Sequence, residues 1–118
     1  MELNTNMTKK DLFNAKVSSD KAEGYIDKDL KVNGLAIYED QVTRDDGTVE
    51  DANIAVISAT LTDGSDVVIA SPSATLVDAV EKLSDLLEDS LSDGTELHVV
   101  IKERKSNAGR KYYTLYAL

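Results

Sequence analysis

The sequence predicts a mainly β fold, a small five-stranded β-barrel with one α-helix in the order β-β-β-α-β-β. Three observations carry this expectation. Short runs of alternating apolar residues are separated by turns rich in Asp and Gly, one long segment near residues 71–93 has helical spacing, and two further alternating runs follow it.

Along the chain, Thr8 with Asp11 three residues on is a capping pattern for a short helix holding Leu12 and Phe13. Residues 18–29 mix Ser, Asp, Lys and Gly and read as loop, so residues 1–29 form an N-terminal arm, expected to be partly flexible. The barrel domain spans residues 30–118. Leu35 and Ile37 alternate with Ala36 and Tyr38 after Asn33-Gly34, a pair that marks a turn or a bulge. Residues 39–51 are acidic, and Asp45-Asp46-Gly47 makes a polar connection or hairpin tip. Residues 52–62 read as a strand, Asp63-Gly64 turns it, and Val67, Val68 and Ile69 bring it back.

Ser71-Pro72 then reads as the start of the helix, with Ser71 as cap and Pro72 in the first turn. Leu76, Val77, Val80, Leu83, Leu86, Leu87 and Leu91 recur every three to four residues, opposite a carboxylate-rich face. Asp93-Gly94 ends it. Leu97, Val99 and Ile101 open the fourth strand. Residues 105–109 loop, and residues 110–118 give a Tyr- and Leu-rich fifth strand.

Composition limits the function classes. At 118 residues, 42% apolar and 30% charged, the chain suits one globular domain. It has no cysteine, no phosphate-cradling Gly-rich loop and no nucleophile elbow, so it is read as a non-enzyme needing no cofactor or metal. No apolar run is long enough for a bilayer, and a cytoplasmic location is expected. The net charge of −9 is unevenly placed: residues 1–38 balance at six basic and six acidic, 39–94 hold two basic and fourteen acidic, and 95–118 hold five basic and two acidic. A local field follows where charges lie, so the cationic end remains open to phosphate.

That end carries the chemistry. Lys102, Arg104, Lys105, Arg110 and Lys111 surround a predicted hairpin with Tyr112, Tyr113 and Tyr116. Single-strand binders combine cations that track phosphates with aromatic rings that stack on unpaired bases. Alternation sets Tyr112, Thr114 and Tyr116 on one face and Tyr113, Leu115 and Ala117 on the other; the second set is read as core. Tyr38 and Arg44 border the first loop and are candidates for the same groove. The ordinary reading of each is a solvated tip or surface strand residue. His98, the single histidine, has no nucleophile pattern around it.

The order of elements is that of an OB-fold, which binds oligonucleotides on its second and third strands and through its first-to-second and fourth-to-fifth loops. On Val32-Asn33-Gly34-Leu35-Ala36-Ile37-Tyr38, Ser71-Pro72 and the run from Lys105 to Tyr113, residues 30–118 resemble the small OB-fold single-stranded DNA-binding proteins of bacteriophages. The resemblance implies coating of displaced strands during phage DNA replication without strong sequence preference, in the host cytoplasm, with replication proteins as further partners. With no Trp, stacking falls to tyrosine. Monomer and dimer are both compatible with the sequence. The competing reading is an acidic interaction module, a nucleic-acid mimic that inhibits a host protein, motivated by the acidic block at residues 39–94.

Overall fold

A computed structural model describes residues 2–118. Among the described residues, six strands and two α-helices follow one another: β1 (Leu3–Thr5), α1 (Lys9–Val17), β2 (Leu30–Thr43), β3 (Val49–Thr60), β4 (Asp66–Ser71), α2 (Ala74–Asp93), β5 (His98–Lys105) and β6 (Lys111–Ala117). A single 3-10 turn, Ala22–Tyr25, lies between α1 and β2. The strands form one antiparallel sheet in the order β4-β3-β2-β5-β6, with β1 added to β2.

β2 organises the sheet. It pairs with β3 along its whole length, and its other edge is divided between β5 at Leu30 and Lys31 and β1 at Leu35 to Ile37. The register slips between Val32 and Gly34. Strand side chains alternate, so residues three apart normally face opposite sides; the bulge lets Val32 and Leu35 enter the same core. The Asn33-Gly34 signal is therefore a bulge.

The main core lies between one face of the sheet and α2. Leu76, Val77, Val80, Leu83 and Leu87 of the helix meet Leu30, Leu35, Ile37, Ile57, Ile69, Val99 and Ile101. Complete burial of such side chains is worth about 1.5–3 kcal/mol each before the entropy of ordering them is charged. A smaller cluster on the other side, Met7, Ala15, Ala36 and Val56, is lidded by α1 with Leu12 and Tyr38 at its border. The Thr8 hydroxyl accepts from the Asp11 amide and the Asp11 carboxylate accepts from the Thr8 amide, so α1 starts on a full capping box.

Four expectations need correction. The sheet is open and does not close into a barrel, because β4 and β6 do not pair. Their outer edges are already engaged. Asp20 donates its amide to the Val68 carbonyl at 2.8 Å and accepts from the Ala70 amide at 3.1 Å, while the Thr75 hydroxyl donates to the Tyr113 carbonyl at 2.5 Å. There are six strands where five were expected, since Leu3–Thr5 finds an edge on β2. There are two α-helices where the fold class allowed one. Finally, α2 is capped at Ser73, two residues later than expected. Ser71 stays in the ladder opposite Ala55, and its hydroxyl instead accepts from the Ser73 amide at 3.2 Å. The helix ends at Gly94, whose φ of 72° permits the left-handed cap.

Candidate nucleic-acid interface

Two hairpins and the start of α2 enclose an open groove of about 780 Å³. The β2–β3 hairpin extends beyond the core and brings Val42, Thr43, Arg44 and Asp45 to one wall. The β5–β6 hairpin brings Arg110, Lys111 and Tyr113 to the other, and Ser73 and Ala74 close the end. Gly109, at φ 80°, turns the second hairpin, and the Ser106 amide closes it on the Arg110 carbonyl at 2.8 Å.

The groove's cations are mostly matched. Arg44 donates through Nε and Nη2 to the same Glu50 oxygen at 2.9 and 2.7 Å. Lys111 lies 3.3 Å from Glu103. No ion pair engages the Arg110 guanidinium among the described residues; its backbone amide donates to the Ser106 hydroxyl. Glu23 and Asp45 also line the groove. Tyr113 is half-buried, its ring packed against the main core while it borders the open space. Desolvation holds its hydroxyl above the ordinary phenol value, with the nearby Glu23 carboxylate adding to the effect.

Residues 102, 104, 112, 114 and 116 point to the opposite face of the β5–β6 hairpin, as strand alternation requires. Lys102 pairs with Asp27 at 2.5 Å. The Arg104 guanidinium stacks over the Tyr116 ring, 5.3 Å from its centre, and Nη2 approaches the Tyr116 hydroxyl at 3.4 Å. That contact, with its partial charges, raises the Arg104 pKa further above its ordinary value. Tyr112 and Thr114 face a smaller groove of about 320 Å³ beside Ala79, Lys82 and Leu86 of α2. Lys105 stands exposed at the hairpin end opposite Lys111.

Of the sequence-selected residues, Arg44, Arg110 and Lys111 meet in one groove. Lys102, Arg104, Tyr112 and Tyr116 share the other face of the hairpin, and Lys105 sits at its tip. Tyr38 joins neither group. It lies half-buried at the border of the small cluster under α1, with Lys16 Nζ 4.9 Å from its ring centre, and desolvation raises its pKa. Tyr113, which the alternation places in the core, packs there and also forms a groove wall. Its odd-numbered register with Lys111 was the available signal, since both belong to one strand face. Among the described residues, no group of three or more His, Cys, Asp or Glu side chains is arranged to hold a metal ion.

The family model for phage single-stranded DNA-binding protein matches residues 1–117, nearly the whole chain. No curated protein and no solved structure matches the chain.

Proposed function

The chain belongs to the phage single-stranded DNA-binding protein family, and we propose that it takes up the strand in the groove between its two hairpins. Binding of single-stranded DNA during phage replication is the function of this protein. The observation that carries the location is the convergence of Arg44, Arg110, Lys111 and Tyr113 on one open groove. Cations beside an accessible ring are what a strand with exposed phosphates and unstacked bases requires. The order β4-β3-β2-β5-β6, with α2 between β4 and β5, supports an OB-type arrangement with its closing edge left unpaired.

In this reading Arg44, Arg110 and Lys111 neutralise phosphates and Tyr113 offers its ring to a base. Lys102, Arg104, Lys105, Tyr112 and Tyr116 continue the cationic and aromatic surface around the hairpin. Phosphate contacts and base stacking carry little sequence information, which favours binding without strong sequence preference. The strand bound would be the displaced strand in the host cytoplasm, where replication proteins are the natural further partners. No helix of the described residues is long and apolar enough to cross a membrane.

Fluorescence anisotropy of a labelled oligo-dT tests this. Replacing Arg110 and Lys111 together by Glu should weaken binding at low salt by at least tenfold, as expected when charge-assisted phosphate contacts become repulsive. Unchanged affinity would remove the groove from consideration.

A further inference from the structure

The groove presents an electrostatic contradiction. Three cations line it, yet two of them are held by the protein's own carboxylates, Arg44 by Glu50 and Lys111 by Glu103. Glu23 and Asp45 add two more negative charges to the lining. A phosphate approaching Arg44 therefore meets a guanidinium already donating to a carboxylate, and one approaching Lys111 meets a cation with a carboxylate beside it.

Resting on the groove reading above, we infer that Glu50 and Glu103 act as internal competitors of the strand, occupying the cations where phosphates bind and leaving when the strand arrives. Both pairs are placed for exchange. Arg44 and Glu50 are each more than half exposed; the Lys111 side chain is 65% exposed and that of Glu103 34%. Exposed pairs of this kind are weak, so a phosphate can replace the carboxylate at small cost. A carboxylate and a phosphate oxygen offer the same acceptor chemistry to guanidinium and ammonium groups.

The exchange sets both affinity and its response to salt. Counterions leave the strand when its phosphates meet cations, which makes binding weaker as salt rises. Here salt also screens the competing carboxylates, and that opposes the first effect. The groove thereby binds less tightly than its cation count implies and is less sensitive to ionic strength. Strand capture leans correspondingly on base stacking, which salt hardly touches.

The test is anisotropy of a labelled oligo-dT with the intact chain, comparing wild type with the double variant Glu50→Gln/Glu103→Gln across a salt series. Glutamine keeps the shape and removes the charge. Binding at low salt should tighten by about 2–30-fold, the range that two exposed ion pairs span. The gain should fade as salt increases. Glu88→Gln, on the exposed face of α2 and outside the lining of both grooves, removes a charge that pairs with no groove cation and should change little. An equal gain from Glu88→Gln would reduce the effect to net charge and overturn the exchange. So would unchanged or weaker binding by a double variant with wild-type thermal melting. The Arg110→Glu/Lys111→Glu variant separates the two readings. If it binds as wild type, the groove itself falls; if it weakens while the Gln variant is inert, only the exchange falls.

Discussion

Gly34 and Met7 approach so closely that a Cβ added to Gly34 would sit 2.6 Å from Met7 Cγ. The backbone carbonyls of Asn6 and Thr5 would lie 3.1 and 3.4 Å from the same atom. The bulge in β2 is thus also the seat of the N-terminal segment. Replacing Gly by Ala ordinarily gains about 0.4–1 kcal/mol by restricting the unfolded chain. Here overpacking against Met7 and two carbonyls should outweigh that gain. Gly34→Ala is expected to destabilise the protein by about 1–3 kcal/mol, read as a lower urea midpoint. A midpoint at or above wild type would show that the arm yields freely.

The helix is the main apolar partner of the sheet, and Leu87 on it is 1% exposed. Leu87→Ala should cost about 2–5 kcal/mol, the span of transfer and cavity terms for a buried leucine. Chemical denaturation measures it directly. Leu91, half-exposed beyond the core, should lose much less when truncated, and the contrast checks that α2 is seated in this register.

Tyr113 and Arg110 act on the strand through different physics, so salt should separate them. Tyr113→Ala should reduce oligo-dT affinity by about 1–3 kcal/mol at every salt concentration, whereas Tyr113→Phe should retain it. Arg110→Ala should weaken binding mainly at low salt and lower the log–log salt slope by about 0.7, one single-strand phosphate contact. Parallel salt slopes for the two Ala variants would contradict this division.

His98 joins β5 to the approach of β2. Its Nδ1 meets the Asp29 carboxylate at 2.6 Å and its Nε2 meets Glu96 at 3.0 Å. The Asp29 bond, then the Glu96 bond, raise the imidazole above its ordinary value. A raised folded pKa means that the folded state favours the protonated ring. The resulting stability is complete below the unfolded value, about 6.5, and disappears as pH rises through the folded value. Glu96 is lowered, first by its bond to His98, so its share is lost instead as pH falls through its lowered value. Thermal melts should therefore show this contribution declining as pH rises beyond about 6.5, and His98→Gln should flatten that decline. An unchanged pH profile in the variant would exclude the imidazole as its source.

The strongest local signals in the sequence survive in the structure: five of the seven apolar positions of α2 are buried, with Leu86 and Leu91 exposed, and the Asp63-Gly64 turn and the Gly94 stop follow from backbone conformation. What escaped depends on tertiary partners. Leu3–Thr5 is too short to show a period, and it becomes a strand only because β5 leaves part of the β2 edge free. Closure failed for a similar reason, since Asp20 and Thr75 claim hydrogen-bonding groups at the outer edges of β4 and β6. At the interface, the sequence located the hairpin and its alternating faces. It did not show where along β6 the core ends, and Tyr113, read as interior, packs on the core and also borders the groove. Tyr38 carried the opposite ambiguity, because nothing local indicated that α1 would lie beside it.

The divided edge of β2 bears on how the molecule behaves when crowded along a strand. An open sheet offers neighbouring molecules unpaired amides and carbonyls, a template for unwanted joining. Here the apolar stretch from Leu35 to Ile37 is sealed by the chain's own first strand, and the continuation beyond it carries Glu39 and Asp40. One part of the seam is occupied and the next is guarded by like charge. The β2 edge is thereby closed to a further strand at Leu35–Ile37 and lined with negative charge beyond it.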